Sequence, residues 1–305
     1  MQTNYIKVRK SNLFRYHTVP LYYQANSERY GIYKPAGMYL KEMRVKRNLI
    51  PRELYLKKSD KAKGTRDVQK AFNHKLQKDI KSNNLKSVKL TVVNLVDEMF
   101  ADPTSGILEG LSNTVNVIVG EYTKEPDIIK NFWLISDKDY TTALHSVNVM
   151  ALAIRYAISR RYSKSQTKLL GLCALLHDIG KTRTDINILT SPRKLSDEEF
   201  AKIKSHPIQG YNLLKRCKFS NPEVKLTALQ HHEKLDGSGY PSGLTQISKF
   251  AQIIGILDCF EALTNDDRPY RDSMIPFNAL DLIQKDVSNG KFDKDVYAKF
   301  LYSLL

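Results

Sequence analysis

The sequence concentrates residues that can bind metal ions in one window. Five of its seven histidines lie there, namely His145, His177, His206, His231 and His232. Two carboxylates accompany them: Asp178 directly follows His177, and Asp258 lies in the apolar run IIGILDCFEAL. A charged group in such a run needs a partner, because burying an unpaired charge is costly. All these donors are nitrogen or oxygen atoms, which suits iron, manganese, zinc or nickel in a hydrolytic site and not a structural zinc cluster.

Taken singly, each of these residues has a structural alternative. His145 could be a hydrogen-bonded core histidine, His206 a helix-end residue, and Asp258 a core carboxylate held by local hydrogen bonds. Together they are harder to explain, since the pair His177-Asp178 follows the apolar run LLGLCALL and would be buried with it. Several imidazoles and two carboxylates in helical cores indicate a cation that neutralises and coordinates them. A carboxylate beside a histidine can bridge two ions about 3.5–4 Å apart, whose shared hydroxide attacks phosphorus.

Helical periodicity dominates the part of the chain that must position these residues. From residue 67 onward, apolar side chains recur at three- and four-residue steps, as in Val68, Phe72, Leu76 and Ile80. The pattern repeats over 88–99 and predicts further helices at 107–121, 126–136, 141–161, 165–179, 197–215, 222–232, 249–263, 277–288 and 293–303.

The first residues follow a different pattern. Short β-type runs at 18–23, 30–33 and 53–56 surround a proline-glycine turn and a helical stretch at 39–47. The polar run KKSDKAKGTR at 57–66 has the composition of a linker. The predicted fold class is therefore mainly α. A small α+β domain at 1–60, regulatory or partner-binding, is followed by a linker and connecting helices at 61–137 and by an all-helical catalytic domain at 138–305.

Composition restricts the class of protein. The chain is 42% hydrophobic and 26% charged, as in ordinary globular domains. It has no transmembrane segment, no apolar core of a signal peptide and only three widely spaced cysteines, which we interpret as free thiols. We therefore expect a cytoplasmic location.

Positive charge is concentrated near the N-terminus. Residues 1–100 hold 22 Lys and Arg against 8 Asp and Glu. Such a segment could bind nucleic acid, an acidic partner or an anionic membrane surface. Because no nucleic-acid motif accompanies the charge, we interpret it as a solvated face and do not expect nucleic-acid binding.

Four ordered motifs resemble a known family. HDIGK at 177–181 resembles the HDxGK signature of HD phosphohydrolases, and HHEKLDGSGYP at 231–241 resembles the HHExxDGxGYP motif of the HD-GYP family. KSHPIQG around His206 and RPYR at 268–271 match two further blocks of that family. The resemblance covers residues 138–305 and implies an all-helical HD-type metallohydrolase fold.

The resemblance also implies an activity and a site. It implies a phosphodiesterase that hydrolyses the bacterial second messenger cyclic di-GMP to pGpG or GMP by attack of a metal-bridging hydroxide. The cofactors would be two divalent metal ions, with iron favoured and manganese, zinc and nickel as alternatives. One ion would be held by His145, His177, Asp178 and Asp258. The second would be held by Asp178 as a bridge with His206, His231 and His232.

Further residues receive roles from the same motifs. Lys181 would contact the scissile phosphate or assist the leaving group, in a catalytic pair with Asp178. Arg268 and Arg271 would hold the second phosphate, because arginine forks suit phosphate oxygens. Tyr240 would reach a phosphate or close over the site. The structural alternatives are a surface helix-end charge for Lys181 and a simple turn around Tyr240.

Departures from the family pattern leave alternatives open. Thr141 stands where some members carry a glutamate for a third metal, so a two-metal site is predicted. The stretch TRTDIN after Lys181, the short segment after Pro241 and Glu261 in place of the usual aspartate indicate remodelled substrate loops. The protein could instead be a weak or inactive cyclic di-GMP receptor or interaction module. Its GYP loop or basic N-terminal domain would then dock a protein such as a GGDEF protein. A third alternative is an HD-type phosphohydrolase acting on another nucleotide.

Overall fold

A computed structural model describes residues 4–27, 29–42, 50–82, 84–103, 108–122, 141–191, 193–265 and 273–305. An antiparallel sheet in the order β1-β4-β2-β3 precedes a long series of helices. The strands are β1 (Tyr5–Lys7), β2 (Leu21–Gln24), β3 (Tyr30–Lys34) and β4 (Tyr55–Lys57). The predicted mainly-α fold with a small α+β unit in front is confirmed.

Twelve α-helices lie within the described residues. They are α1 (Lys61–Lys81), α2 (Leu85–Ala101), α3 (Leu108–Tyr122), α4 (Thr142–Ser159), α5 (Lys164–Leu176), α6 (Ile186–Leu189), α7 (Asp197–Lys204), α8 (His206–Arg216), α9 (Pro222–Gln230), α10 (Lys249–Thr264), α11 (Pro276–Ser288) and α12 (Lys294–Leu304). Capping residues fix several of their starts: Thr141 caps α4, and a capping box formed by Ser163 and Gln166 opens α5.

The interpretation of residues 57–66 as a linker is wrong. Helix α1 begins at Lys61, immediately after β4 and one short 3-10 turn. Gly64 packs so closely on the sheet that a Cβ there would lie 3.0 Å from the side chain of Leu56. Asp67 accepts backbone hydrogen bonds from His17 and Thr18, at 2.9 and 2.7 Å. The lysines of this run have a high helix propensity, and their side chains reach solvent on the outer face of α1. The polar composition is therefore compatible with a helix that packs directly on the sheet.

The predicted helix at 197–215 is two helices, α7 and α8, separated at Ser205. The reason is Pro207, which has no N–H to donate to the carbonyl groups of the preceding turn. The break places His206 in the first turn of α8.

Other differences concern the N-terminal unit. Strand β1 was not predicted, because its three residues are too short to show alternation. Of the predicted helix at 39–47, the described part forms a 3-10 turn, Leu40–Glu42. The remainder of that stretch and the predicted helix at 126–136 lie outside the described residues.

Helix α4 forms the centre of the helical part. Nearly all its side chains from Ala143 to Ala157 are buried, as expected for a helix that is apolar on every side. It packs against α2, α5, α10 and α12. Among the described residues, no helix combines the length and the apolar character that a membrane span requires.

Candidate metal centre

The seven residues predicted as metal ligands come from five segments that meet beside α4. His145 lies in the first turn of α4, and the pair His177-Asp178 follows the end of α5. His206 begins α8. The pair His231-His232 follows the end of α9, and the buried Asp258 lies in α10. Three groups of these side chains each bring their ligand atoms within 4.8 Å of one another: Asp178, His206, His231 and His232; His145, His177 and Asp178; His177, His231 and Asp258.

The two carboxylate oxygens of Asp178 face different histidines. Oδ2 lies 3.4 Å from His145 Nε2 and 3.5 Å from His177 Nε2. Oδ1 lies 3.1 Å from His206 Nε2 and 3.7 Å from His231 Nε2. A carboxylate placed between two pairs of nitrogen donors has the geometry to bridge two ions.

The carboxylate of Asp258 closes the other side of the first pair. Its Oδ1 lies 3.0 Å from His145 Nε2 and 3.8 Å from His177 Nε2. Its Oδ2 lies 3.8 Å from His232 Nδ1. Asp258 therefore lies against both histidines of the predicted first metal position.

Hydrogen bonds to backbone carbonyl oxygens on the outer side of three imidazoles fix a proton on Nδ1. His177 Nδ1 faces Ala174 O at 2.6 Å, and His206 Nδ1 faces Ile203 O at 2.7 Å. His231 Nδ1 lies 3.1 Å from two carbonyl oxygens of its own helix. Because a carbonyl oxygen only accepts, each of these Nδ1 atoms donates and each Nε2 presents a lone pair.

These lone pairs converge in a way that suits a cation. The Nε2 atoms of His206 and His231 lie 3.2 Å apart, as do those of His145 and His177. Asp178 Oδ1 is buried and accepts no hydrogen bond from the described residues. Imidazole nitrogens and carboxylate oxygens are the donor set of a divalent transition-metal ion. The residues present therefore fit the metal ions that the motifs imply.

The electrostatics differ between the two sides of the cluster. Burial opposes a charge on His145, but Glu261 and Asp258 outweigh burial and raise its pKa to about 9. Burial and the neighbouring His177 and His206 lower the pKa of His231 to about 4. Burial and His231 hold the pKa of His232 well below its usual range. His231 and His232 are therefore neutral at pH 7 and have lone pairs for coordination.

Both central carboxylates are ionised. Burial would favour their protonated forms, but positive neighbours and hydrogen-bond donors prevail. Lys181 and His177 hold the pKa of Asp178 well below its usual range, and His145 and His177 do the same for Asp258. Each carboxylate thus carries the negative charge that a metal ion requires.

Lys181 lies at the edge of the cluster. Lys181 lies three residues after Asp178, in the 3-10 helix Ile179–Arg183. Its Nζ donates to Asp178 Oδ2 at 2.5 Å, and its side chain is 20% exposed. The ammonium is therefore fixed beside the bridging carboxylate and still reaches solvent, where a phosphate can approach.

Gly180, between the central carboxylate and this lysine, allows the cluster to close. A Cβ on Gly180 would lie 1.9 Å from the carbonyl oxygen of His206, closer than any side chain permits. The turn after α5 can therefore contact the start of α8 only with glycine at this position.

The GYP loop covers the side of the cluster next to His232. The ring of Tyr240 stacks on the imidazole of His232, with centroids 4.6 Å apart and planes 26° apart. Burial raises the pKa of Tyr240, and the two central carboxylates add to the effect, so the phenol is neutral. The buried carboxylate of Glu233 accepts the N–H groups of Ser242 and Leu244, at 2.8 and 3.0 Å. Glu233 thereby fixes the loop that carries the tyrosine.

Not every residue around the cluster matches the sequence prediction. Thr141 uses its side-chain oxygen to accept Leu144 N–H at 3.1 Å and cap α4. Arg268 and Arg271 lie outside the described residues. Glu261 and Asn148 were not predicted as site residues, although each lies three positions after a predicted ligand, on the same face of its helix. That spacing was the available signal for both residues.

Comparisons with known proteins agree with the motifs. The family model described as "HD domain" matches residues 131–296. A cyclic di-GMP phosphodiesterase of Pseudomonas aeruginosa is 35% identical over 193 residues, 62% of this chain and 46% of that protein. A 3'3'-cGAMP-specific phosphodiesterase of Vibrio cholerae is 37% identical over 166 residues, 54% of this chain and 38% of that protein. The chain spans less than half the length of these two relatives.

A solved structure supports the fold. It is an HDG"Y"P protein from Bdellovibrio bacteriovorus, with a TM-score of 0.61 at 22% identity, covering 97% of this chain and 98% of that one. At this identity the likeness concerns the fold alone. The family model covers more than half of the chain, and the HHEKLDGSGYP run lies within the matched residues. The chain therefore belongs to the HD-domain family, and within it to the HD-GYP group.

Proposed function

We propose that this protein is a metal-dependent phosphodiesterase that hydrolyses cyclic di-GMP to pGpG, GMP or both. The observation that carries the proposal is the position of Asp178, whose two oxygens face separate histidine pairs while Lys181 donates to one of them. This arrangement suits two-metal hydrolysis of a phosphodiester.

The proposed ligand sets follow the observed distances. One ion would be held by His145, His177, Asp178 and Asp258, and the other by Asp178, His206, His231 and His232. Two bound ions would polarise the phosphoryl oxygens and lower the pKa of a coordinated water. The nitrogen and oxygen donors suit iron, manganese, zinc and nickel, and the family resemblance favours iron among them.

The surrounding residues position the substrate. Lys181 presents its ammonium beside Asp178, where it can neutralise charge on the scissile phosphate or protonate the leaving oxygen. Tyr240 remains a neutral phenol next to His232 and can donate a hydrogen bond to a phosphate oxygen. Arg268 and Arg271 stay predicted contacts for the second phosphate.

The names of two relatives indicate two candidate substrates of one chemical class. The Pseudomonas relative is named for cyclic di-GMP and the Vibrio relative for 3'3'-cGAMP. Both are cyclic dinucleotides with two phosphodiester bonds, so 3'3'-cGAMP is the second candidate. A protein partner at the GYP loop or the basic N-terminal segment remains a prediction.

The test combines metal analysis with hydrolysis on one anaerobic preparation. Two ions per chain and linear product from cyclic di-GMP would support the proposal, and faster turnover of 3'3'-cGAMP would favour the second substrate. Two ions with cyclic di-GMP binding but no product would support the receptor alternative. Turnover of bis(p-nitrophenyl) phosphate but of neither cyclic dinucleotide would support an HD-type hydrolase with another substrate. The absence of bound metal under all conditions would contradict the proposal.

A further inference from the structure

One histidine of the cluster differs from the others in its outer hydrogen bond. His177, His206 and His231 each face a backbone carbonyl oxygen through Nδ1. His145 Nδ1 instead faces the carboxylate oxygen Oε2 of Glu261 at 2.5 Å. A carboxylate acceptor holds the imidazole in one orientation and tautomer and makes it a more basic ligand than a neutral carbonyl does.

Glu261 is itself held in place on its other oxygen. Oε1 accepts the amide N–H groups of Asn148, at 2.9 Å, and Asn265, at 2.8 Å. Asn148 lies on α4 one turn after His145, while Glu261 lies on α10 one turn after Asp258. The carboxylate therefore connects the two helices that supply ligands to the first position, and it is only 3% exposed.

The two proposed positions also differ in charge. The first has two carboxylates in its ligand set, Asp178 and Asp258, whereas the second has Asp178 alone with three imidazoles. Glu261 adds a third carboxylate behind the first position, within 4 Å of one of its ligands. Attraction of a divalent cation in a buried site increases with this negative charge.

The geometry points to Glu261 as a positioning residue that makes the two metal positions unequal, so that the ion beside His145 binds first and more tightly. This inference rests on the two-metal site of the proposed function. Glu261 does not contact the ion; it acts by orienting and polarising the His145 ligand. A merely structural Glu261 would affect the stability of the fold without selecting one binding step.

The test is a binding isotherm for Mn²⁺, and for Fe²⁺ under anaerobic conditions, on the metal-free full chain. The wild type should bind in two steps of different affinity. Glu261→Gln keeps the shape of the side chain but removes its charge. It should weaken the tighter step by roughly 10- to 100-fold, the range typical of outer-shell partners, with a much smaller change in the weaker step. Electron paramagnetic resonance of Mn²⁺ would then show the paired-ion signal only at higher metal concentration.

Two further variants keep the test interpretable. Glu261→Asp retains the charge with a shorter reach and should lose less affinity than the glutamine variant. Glu98→Gln makes the same change at a buried carboxylate that bonds to Ser11 and Asn12 of the N-terminal unit, and it should leave both binding steps unchanged. If both Glu261 variants bind like the wild type, or if Glu261→Gln weakens both steps equally, the inference is overturned. If the wild type itself binds neither metal, the proposed function fails instead.

Discussion

The Nε2 atoms of His145 and His177 lie 3.2 Å apart, while Nδ1 of each ring faces an oxygen acceptor. Two lone pairs at this distance repel each other unless a cation lies between or beside them. The carboxylates of Asp178 and Asp258 face the same two nitrogens, so the cluster has excess negative charge as well. Without metal, a proton on His145, whose pKa is raised to about 9, separates the two nitrogens. We expect a bound metal ion to replace this proton and to stabilise the fold.

Metal removal should destabilise the protein. At a free metal concentration of 100 times the dissociation constant, binding to the native state alone adds about 2.7 kcal/mol to the free energy of unfolding. Thermal unfolding of chelator-treated protein, with and without added Mn²⁺, measures the effect. Asp178→Asn serves as the control and should show little shift. Equal melting temperatures for metal-free and metal-supplied wild type would contradict the prediction.

Removal of the Asp178 carboxylate should lower the number of bound metal ions per chain more than removal of one histidine. Asp178→Asn is expected to lose both ions, because its two oxygens serve both positions. His206→Ala is expected to keep the ion held by the first position. Metal content per chain, measured after gel filtration, distinguishes these outcomes. His74→Ala, at an exposed histidine of α1, is the matched control and should retain both ions.

Lys181→Met should lower kcat and leave metal content intact. The ammonium contacts Asp178 but is only one of several groups that stabilise that carboxylate, so the ions remain. Loss of one charge-stabilising donor in a hydrolytic site costs roughly 10²–10³-fold in kcat. Steady-state hydrolysis of cyclic di-GMP measures kcat. Lys164→Met, at the exposed start of α5, is the control and should keep the wild-type kcat. An unchanged kcat would assign Lys181 to the surface-charge alternative.

Much of the centre was predictable because its ligands occur in short motifs. A His-Asp pair after an apolar helix and a His-His pair after another give the donors and their order along the chain. The helix break before Pro207 could also have been predicted, since a proline interrupts the backbone hydrogen bonds of a helix at that point. The packing at the start of α1 could not, because the burial of Gly64 depends in part on Tyr16, which is far from it in sequence.

Glu261 shows why the outer part of the site escaped prediction. In the sequence it is an acidic residue in an apolar helix, three positions after Asp258. Its significance comes from Asn148 and His145, which are separated from it by 113 and 116 positions. Long-range pairs of this kind follow from the packing of α4 against α10, which no local pattern specifies.

Gly180→Ala should damage the site through packing. The added methyl group would require the start of α8 to move away from the turn after α5, together with His206. Overpacking of this kind typically costs 1–3 kcal/mol of stability, and metal affinity should fall with it. Gly120→Ala, in α3 with open space around the new Cβ, is the matched control. It should be neutral or stabilising by up to about 1 kcal/mol. Denaturant unfolding of both variants checks the contrast.

Cys173 should resist alkylation in the native protein. Burial raises the pKa of its thiol to about 12, so almost no thiolate exists at pH 8, and the side chain is not exposed. Cys217 is partly exposed and should react with iodoacetamide first. Peptide mass analysis after timed labelling compares the two, and denatured protein should be labelled at both. Equal native labelling rates would show that α5 opens readily.

The ligands of the cluster are spread from α4 to α10, so their order of synthesis matters. A nascent chain that has emerged only as far as His232, just after α9, contains the five histidines of the cluster and Asp178, but not Asp258 or Glu261. Until α10 has left the ribosome and docked on α4, the first position lacks one of its carboxylates and the hydrogen bond that orients His145. We therefore expect complete metal loading only after α10 has been made and has docked on α4.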